Sequence, residues 1–322
     1  MISSYQEAFL AYLNEQSTAK EPSSLYAPTQ YILQLGGKRI RPVLALMAAD
    51  AVKNSFVEAL PAALAVEIFH NFSLVHDDIM DEAPLRRGKA TVHEKWDLNT
   101  AILSGDVMLI NAYQCFNQYP PELFRALTTL FSQTAQEVCE GQQYDMDFPQ
   151  QDEVTQEEYL HMIKYKTAVL LGCSLQMGAM VGGLNSEESK PFYNFGIQLG
   201  MAFQLQDDFL DAFGNPETFG KQVGGDIIEN KKTLLYLLAL HLGNDKEVAE
   251  LKTLFTSQPQ NPQNKIVRVK EIFMATQADK KIQALIENYT KLALKEVEAF
   301  LISDEKKENF IVFAQQLMHR KL

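Results

Sequence analysis

Two aspartate motifs are the residues in this chain whose types and spacing can do chemistry. The pattern Asp-Asp-x-x-Asp occurs at 77–81 after the apolar segment 59–75, and again at 207–211 after the apolar segment 195–205. Residues four apart share one face of a helix, so the first and last aspartates of each motif are expected to project together. Each motif is expected at the C-terminal end of a helix, where the helix dipole disfavours negative charge. Neither helix gains stability from its motif.

The two motifs together favour a metal site. If they face each other, each pair of ionised carboxylates about 6 Å apart would repel by roughly 3 kcal/mol at an effective dielectric near 20. Bound cations remove that cost. Oxygen-only ligation selects hard ions, and Mg²⁺ is commonly held by one or two carboxylates together with substrate phosphates. One such motif alone would be interpreted as a solvated acidic helix end, but two of them, each after an apolar helix, favour a phosphorylated substrate.

Basic residues gather at helix junctions near these motifs, although the formal net charge is −12. The turn Gly-Gly-Lys-Arg-Ile-Arg-Pro at 36–42 has three cations before a proline that can begin a helix. A glycine turn, a helix N-terminus and guanidinium groups together suit a diphosphate. A second basic group lies at 86–89, and lysines flank the glycine-rich segment 220–226. We expect metal ions on one side of a phosphate and cationic side chains on the other.

The elements that must position these residues are predicted to be helices. Helical hydrophobic patterns recur from end to end, while alternating strand patterns bounded by tight turns are missing. No low-complexity linker divides the chain, so we expect one all-α domain over residues 1–322 with a central cavity. The predicted helices cover about 3–17, 24–35, 41–53, 57–82, 98–118, 121–145, 155–184, 187–213, 230–242, 245–256, 263–275, 277–302 and 305–319.

Composition excludes several classes of protein. The acidic net charge argues against nucleic acid or an anionic membrane surface as the main partner. The longest uncharged stretch, 168–184, contains four glycines and makes a poor membrane span. The N-terminus lacks the pattern of a signal peptide. Three cysteines, Cys115, Cys139 and Cys173, lie far apart in apolar surroundings, which predicts buried, reduced thiols and a cytoplasmic protein.

The chain resembles the trans-prenyl diphosphate synthases of the polyprenyl synthetase family. The segments that carry the resemblance are 36–42, 70–81, 86–88, 104–106, 141–142, 166–167, 203–211 and 220–233. The resemblance implies an isoprenoid-synthase fold, usually a homodimer. It also implies head-to-tail condensation of isopentenyl diphosphate with dimethylallyl, geranyl or farnesyl diphosphate. In that mechanism the allylic diphosphate departs, isopentenyl diphosphate attacks the resulting carbocation, and a proton is lost.

The resemblance also implies roles for individual residues. Three Mg²⁺ ions would bridge the two motifs and the allylic diphosphate. Their implied ligands are Asp77, Asp81, Asp207 and Asp211, and Asp78 and Asp208 would support these ligands. The implied isopentenyl diphosphate site is Lys38, Arg41, His70 and Arg87. The implied allylic diphosphate contacts are Arg86, Lys166, Thr167, Gln204, Lys221 and Lys231. The residues expected to act directly on the reaction are Asp77, Asp81, Arg86, Lys166, Asp207 and Lys221.

Product length is expected to depend on the helix that precedes the first motif. Phe72 lies five residues before Asp77, about 7.5 Å along a helix, and could form the floor of the cavity. With the small Ser73 after it, the pattern resembles enzymes that make the twenty-carbon geranylgeranyl product, with the fifteen-carbon farnesyl product next. Simple core packing is the alternative for Phe72. Met108 or Ala112 on a facing helix could also limit the cavity.

Three other functions are alternatives to a prenyl transferase. Glu67-x-x-His70 and Glu158-x-x-His161 have the spacing of di-iron carboxylate bundles, with Glu137 as a further ligand, but this hypothesis leaves both aspartate motifs unexplained. A non-catalytic subunit of a heteromeric synthase would typically lack an aspartate motif. A terpene cyclase would lack the cations Lys38 and Arg41.

Overall fold

The computed structural model describes residues 2–215, 223–257 and 262–318, and it confirms an all-α fold. Short 3₁₀ turns lie at Val57–Ala59, Cys115–Gln118 and Phe148–Gln150. The helices are α1 (Ile2–Gln16), α2 (Ser23–Gln34), α3 (Ile40–Lys53), α4 (Leu60–Met80), α5 (Val92–Lys95), α6 (Leu98–Gln114), α7 (Pro121–Asp147), α8 (Gln156–Ile163), α9 (Val169–Val181), α10 (Lys190–Phe213), α11 (Gly225–Ile228), α12 (Leu234–Leu242), α13 (Asp245–Thr256), α14 (Pro262–Ala275), α15 (Ala278–Glu298) and α16 (Asp304–Met318).

The chain divides into two compact units. Unit 1 contains Met1–Thr134, Cys173–Tyr193 and Leu301–Ser303, and unit 2 contains Ala135–Gly172, Asn194–Phe300 and Asp304–Leu322. The first aspartate motif belongs to unit 1 and the second to unit 2. That residues 1–322 form a single domain stays a prediction.

Unit 1 is built around α4, which carries the first motif. Pro61 lies in the first turn of α4, where a missing N–H costs nothing. All nine residues from 61 to 69 are buried, because α4 packs against α3 and α6. A helix that is apolar on every side requires such a central position. Its buried polar residues Glu67 and Asn71 are satisfied by hydrogen bonds, and the aspartates lie at its end.

A two-stranded hairpin follows the first motif and was not expected from the sequence. Strand β1 (Leu85–Arg86) pairs antiparallel with β2 (Lys89–Ala90). The turn residues Arg87 and Gly88 have φ of +54° and +73°, the left-handed values that a tight hairpin turn requires. Strands of two residues are too short to show any periodicity, which explains why the sequence pattern missed them.

Unit 2 contains a helix whose winding departs from the sequence prediction. One helix was expected over 155–184, but α8 continues into a π turn at Lys164–Ala168 and then into α9, which ends at Val181. The apolar α12 lies in the core of this unit, with residues 234–239 buried against α8, α13, α14 and α15.

The cysteines only partly match their prediction. All three are free thiols, but Cys139 is exposed and Cys115 is half-buried, so only Cys173 is buried as expected. Cys139 lies on the outward face of α7 and Cys115 follows the end of α6. The apolar neighbours of these cysteines in the sequence did not indicate their exposure. No helix within the described ranges is long and apolar enough to cross a membrane.

Candidate active site

The first aspartate motif is anchored by an arginine from the hairpin. Nε of Arg86 donates to both carboxylate oxygens of Asp78 at 2.8 Å, and its Nη2 lies 2.6 Å from Asp78 Oδ1 and 3.4 Å from Asp77 Oδ2. Burial raises the pKa of Asp78, against the opposing charge of Arg86. Burial alone would lower the pKa of Arg86, but Asp78 raises it overall. Asp78 therefore supports Arg86, and Asp81, at the exposed helix end, completes the motif.

A buried ion pair fixes the glycine turn to α4. Arg39 has left-handed φ (+50°) at the N-cap of α3, and its guanidinium donates to Glu67 Oε1 and to the backbone oxygen of Leu33. Asn71 Nδ2 donates to the same Glu67 oxygen at 2.9 Å. Arg39 belongs to the basic turn at 36–42 but not to the implied isopentenyl diphosphate site, and its pairing with Glu67 carried no signal in sequence.

These contacts contradict the di-iron hypothesis. Glu67 is paired with Arg39, and the Glu158 side chain closes a capping box with Thr155 at the start of its own helix. His161 packs against the rings of Tyr144 and Tyr165. Neither glutamate is arranged as an iron ligand.

The four residues of the implied isopentenyl diphosphate site belong to unit 1, and three of them are brought together. Arg41 Nη1 lies 3.2 Å from His70 Nε2, and Arg87 Nη1 donates to the backbone oxygen of Gly36. Gly37 has φ of +124°, and a Cβ there would lie 2.9 Å from the Arg87 guanidinium. Glycine is therefore needed for both conformation and space. Lys38 is exposed on the same turn.

Positive charge accumulates around His70. Burial lowers the pKa of His70 well below its usual value, and the charges of Arg41, Arg87, Arg86 and Arg39 lower it further. The imidazole is thus neutral and can accept from Arg41. Burial lowers the pKa of Arg41 to about 10, so it remains a cation near neutral pH. A cluster of arginines held around a neutral histidine is suited to bind an anion.

The second motif, on α10, is held by neutral donors. Asp208 is buried, and its Oδ2 accepts from the Tyr159 hydroxyl at 2.5 Å. Its Oδ1 accepts from Gln204 Nε2 at 3.0 Å, and Gln204 Oε1 accepts from Thr167 Oγ1 at 3.1 Å. Burial, followed by the charge of Asp226, raises the pKa of Asp208 to about 8. Sequence reasoning missed Tyr159, because a lone tyrosine on a helix is ordinarily core.

The loop after the second motif returns to it. The backbone N–H of Asp226 donates to Asp211 Oδ1 at 3.0 Å, and that of Gly224 donates to the Asp211 backbone oxygen at 2.6 Å. Lys231 Nζ lies 2.8 Å from Glu229 Oε2 and 3.9 Å from Asp226 Oδ1. Burial alone would lower the pKa of Lys231, but Glu229 and Asp226 raise it. No role was predicted for Asp226 from the sequence, although the Gly224-Gly225 turn that precedes it could have indicated one.

The other predicted cations have different surroundings. Lys166 Nζ lies 2.5 Å from Asp145 Oδ2, so an acidic partner holds it in place. Lys232 donates to the backbone oxygens of Phe148 and Gln151, which makes it a structural residue. Lys221 lies outside the described residues.

The carboxylates fit a hard divalent cation that completes its coordination with substrate. Within residues 2–215, 223–257 and 262–318, no three His, Cys, Asp or Glu side chains form a metal site by themselves. The predicted ligands Asp77, Asp81, Asp207 and Asp211 supply only oxygen atoms, which suits Mg²⁺ bound through carboxylates, phosphates and water.

The residue expected to set product length is buried in an aromatic cluster. The ring of Phe72 lies 5.5 Å from that of Phe69 and 4.8 Å from the imidazole of His76. His76 lies over Gly105 of α6, where a Cβ would come within 2.2 Å of the imidazole. Ser73 donates its hydroxyl to the backbone oxygen of His70 at 2.8 Å.

An all-α fold with two aspartate motifs at helix ends and an arginine cluster is typical of enzymes that act on phosphorylated substrates. The family model described as polyprenyl synthetase matches residues 22–273. The chain therefore belongs to the polyprenyl synthetase family and is a prenyl-transferring enzyme. Members of this family use divalent metal ions to bind diphosphate.

Individual relatives agree with this assignment. A geranylgeranyl diphosphate synthase of Methanosarcina mazei is 40% identical over 235 residues, 72% of this chain and 72% of that protein. A geranylfarnesyl diphosphate synthase of Natronomonas pharaonis is 33% identical over 316 residues, 90% of this chain and 93% of that protein. A crystal structure of a geranylgeranyl pyrophosphate synthase superposes with a TM-score of 0.96 at 51% identity, covering 100% of this chain and 99% of that one.

Proposed function

We propose that this enzyme condenses isopentenyl diphosphate with allylic diphosphates and releases geranylgeranyl diphosphate as its main product. The observation that carries the proposal is the arginine cluster around His70, one hairpin away from an aspartate motif anchored by Arg86. A prenyl transferase needs an anion site for the nucleophilic substrate as well as carboxylates for the metal-bound one. Unit 1 supplies both.

In unit 1, isopentenyl diphosphate would bind to Lys38, Arg41, His70 and Arg87. Neutral His70 accepts from Arg41 and so orients that guanidinium, while the Gly36–Gly37 turn orients Arg87. Arg86, held by Asp78, would stabilise negative charge on the departing allylic diphosphate. These groups are held by other side chains before substrate arrives, so little reorganisation accompanies the reaction.

In unit 2, the allylic diphosphate would contact Lys166, Thr167, Gln204, Lys221 and Lys231. We assign Mg²⁺, three ions as the family resemblance implies, to Asp77 and Asp81 in unit 1 and to Asp207 and Asp211 in unit 2. When bound, the metal supplies Lewis-acid stabilisation of the leaving diphosphate. Asp145 and Glu229 hold the ammonium groups of Lys166 and Lys231.

The geranylgeranyl product is favoured by Phe72 and Ser73. Phe72 is braced by Phe69 and His76, which limits its rotation and makes it suitable as a cavity floor. The similarity to synthases of geranylgeranyl and geranylfarnesyl diphosphate places the expected product among short chains. Farnesyl diphosphate is the next candidate.

We also propose that the enzyme is a cytoplasmic homodimer. The free thiols suit a reducing compartment. Four apolar residues of α6 are 40 to 58% exposed, and such a surface is suited to a second copy: Leu98, Ile102, Leu103 and Ile110. Light scattering after size-exclusion chromatography should show a dimer for the native chain and a monomer for Leu103→Glu/Ile110→Glu. A monomeric native chain would contradict this.

The test of function uses the purified native chain alone. It is incubated with isopentenyl diphosphate, Mg²⁺ and, separately, dimethylallyl, geranyl or farnesyl diphosphate, and the dephosphorylated alcohols are identified by chromatography. We expect geranylgeraniol as the main alcohol. Matched reactions with chelator should give none. A chain that turns over only after another subunit is added would support the heteromeric alternative instead.

A further inference from the structure

The hydroxyl of Tyr159 is a buried polar group to which none of the roles above is assigned. Tyr159 is 4% exposed in α8 and donates to Asp208 Oδ2 at 2.5 Å. Burial and the nearby carboxylates raise the pKa of Tyr159 well above its usual value, so the phenol keeps its proton. It is therefore a fixed donor to the middle residue of the second aspartate motif.

Tyr159 begins a continuous chain of hydrogen bonds. Asp208 Oδ1 accepts from Gln204 Nε2 at 3.0 Å, and Gln204 Oε1 accepts from Thr167 at 3.1 Å. The two ends of the Gln204 amide thus have opposite partners, which fixes its orientation. Both oxygens of Asp208 also have a donor. Neither carboxyl nor amide can rotate without losing a buried hydrogen bond.

This chain of contacts spans the π turn that presents Lys166. Tyr159 lies in α8, just before the π turn Lys164–Ala168, and Thr167 lies inside the turn, so the chain is tied to α10 once before the π turn and once within it. Its backbone is also closely packed. A Cβ on Gly141 of α7 would lie 2.3 Å from Lys166 N, and one on Gly200 of α10 would lie 2.6 Å from Ala168 Cα.

A π turn holds one residue more than an α turn in the same span, and it would relax without compensating contacts. Here the glycines on α7 and α10 let these two helices approach the π turn closely. The hydrogen bonds from Tyr159 and Thr167 set the rotation of the π turn about its helix axis. The rotation of this turn determines where Lys166 and Thr167 point. The contacts to Asp208 and Gln204 also hold the α10 face that carries Asp207 and Asp211.

We propose that Tyr159 is a positioning residue, whose hydroxyl fixes the π turn of Lys166 and Thr167 in register with the second aspartate motif. This inference rests on the proposed function, since it assigns Lys166 and Thr167 to the allylic diphosphate. Tyr159 acts through Asp208 and does not itself touch substrate.

The test compares Tyr159→Phe with Tyr165→Phe. Both remove one phenolic oxygen, but Tyr165 lies in the π turn with its ring against His161, outside the hydrogen-bonded chain. Steady-state kinetics are measured with each substrate varied, and melting temperature shows that the variants are folded. For Tyr159→Phe we expect kcat to fall roughly 10- to 100-fold, as for residues that orient metal ligands. We expect KM for the allylic diphosphate to rise several-fold and KM for isopentenyl diphosphate to stay within about twofold.

A double-mutant cycle with Thr167→Val sharpens the test. If the hydrogen bonds act as one unit, the loss in the double variant will be smaller than the product of the two single losses. Calorimetry with inorganic diphosphate and Mg²⁺ should show weaker binding to Tyr159→Phe than to Tyr165→Phe.

Several results would overturn the inference. They are native kinetics for Tyr159→Phe, equal changes in the KM of both substrates, equal effects in Tyr165→Phe, or unfolding at the assay temperature. Unfolding would assign the hydroxyl to the fold alone. If the native enzyme transfers no prenyl group, the proposed function fails first. An active native enzyme with an unaffected Tyr159→Phe variant refutes only the positioning role.

Discussion

The two aspartate motifs share one spacing, yet the middle residue of each is held differently. In unit 1, Asp78 is buried against the guanidinium of Arg86. In unit 2, Asp208 is buried against the phenol of Tyr159 and the amide of Gln204. Burial raises the pKa of both carboxyls, but at Asp78 the charge of Arg86 opposes the rise, whereas at Asp208 the charge of Asp226 adds to it and the pKa reaches about 8. Identical motifs can therefore impose different charges on their surroundings.

The difference follows from what comes next in the chain. After the first motif a tight hairpin returns Arg86 to Asp78, so the cation is supplied locally. After the second motif the Gly224–Gly225 turn returns Asp226, which adds negative charge. Unit 1 thus carries an aspartate motif already paired with a cation, beside the arginine cluster that we propose binds an anion. Unit 2 carries an excess of carboxylates, for which bound metal ions would compensate.

The largest effect is expected from the outer aspartates, where the two motifs should behave alike. Asp77→Ala and Asp207→Ala should each lower kcat by roughly 10³-fold or more, because a metal ligand contributes several kcal/mol of charge stabilisation. Steady-state assays with saturating Mg²⁺ measure this, and circular dichroism checks the fold. Asp152→Ala, at an exposed aspartate of unit 2, is the matched control. Near-native turnover in both variants would refute the metal-ligand assignment.

The middle aspartates should differ in stability. Asp78→Asn leaves the largely buried Arg86 with only its longer 3.4 Å contact to Asp77 and should lower the free energy of unfolding by about 2 kcal/mol. Asp208→Asn breaks no ion pair and loses one neutral hydrogen bond from Tyr159 or Gln204, so it should lower the free energy of unfolding by only about 1 kcal/mol. Denaturant unfolding of the metal-free variants at pH 7 provides the measurement. Equal losses would mean that the two environments do not differ as described.

The pH dependence of the free energy of unfolding tests the shifted pKa of Asp208 separately. The folded-state pKa of Asp208, about 8, lies above its unfolded value of 3.8. Between these values the folded state retains a proton that the unfolded state has lost, so this group makes stability fall as pH rises. Asp208→Asn should remove that contribution from the metal-free protein. An unchanged slope between about pH 5 and 8 would contradict the shifted pKa.

The sequence predicted the helices and the chemistry better than it predicted side-chain partners. Apolar periodicity identified α4 and α10, because both bury most of their surface before ending in aspartates. The basic turn at 36–42 was recognised by residue type, and the family resemblance implied a substrate role for Arg41 and none for Arg39, but the buried pairing of Arg39 with Glu67 was not predicted. It depends on the left-handed backbone at Arg39, which points one guanidinium into the core towards Glu67.

The π turn could not be predicted for a related reason. One additional residue in the winding of 164–168 shifts the helical phase by about 100°, but residues 168–181 are buried on every side, so no polar face in the sequence records the shift. Tyr159 and Thr167 become partners of the same helix only once that phase is known. Residues that contact substrate leave a signal in type and spacing. Residues that orient them depend on tertiary packing.

The smallest change in rate is expected from the aromatic residues before the two motifs, and only the one before the first motif should change the product. Phe72 precedes Asp77 by five residues, and Phe203 precedes Asp207 by four. Phe72→Ala removes the ring braced between Phe69 and His76 and should open the cavity, shifting the product to chains at least one five-carbon unit longer. Phe203→Ala, a comparable truncation on α10, should leave the length unchanged. Chromatography of the dephosphorylated products measures both.

Gly105 offers an independent approach to the same cavity floor. Because a Cβ at 105 would lie 2.2 Å from the His76 imidazole, Gly105→Ala must displace His76 and release one side of the Phe72 ring. We expect a mixture of geranylgeranyl and longer products, a weaker shift than that caused by Phe72→Ala. If Phe72→Ala leaves the product unchanged while Phe203→Ala lengthens it, then Phe72 does not limit the product and the helix before the first motif serves only to place its aspartates.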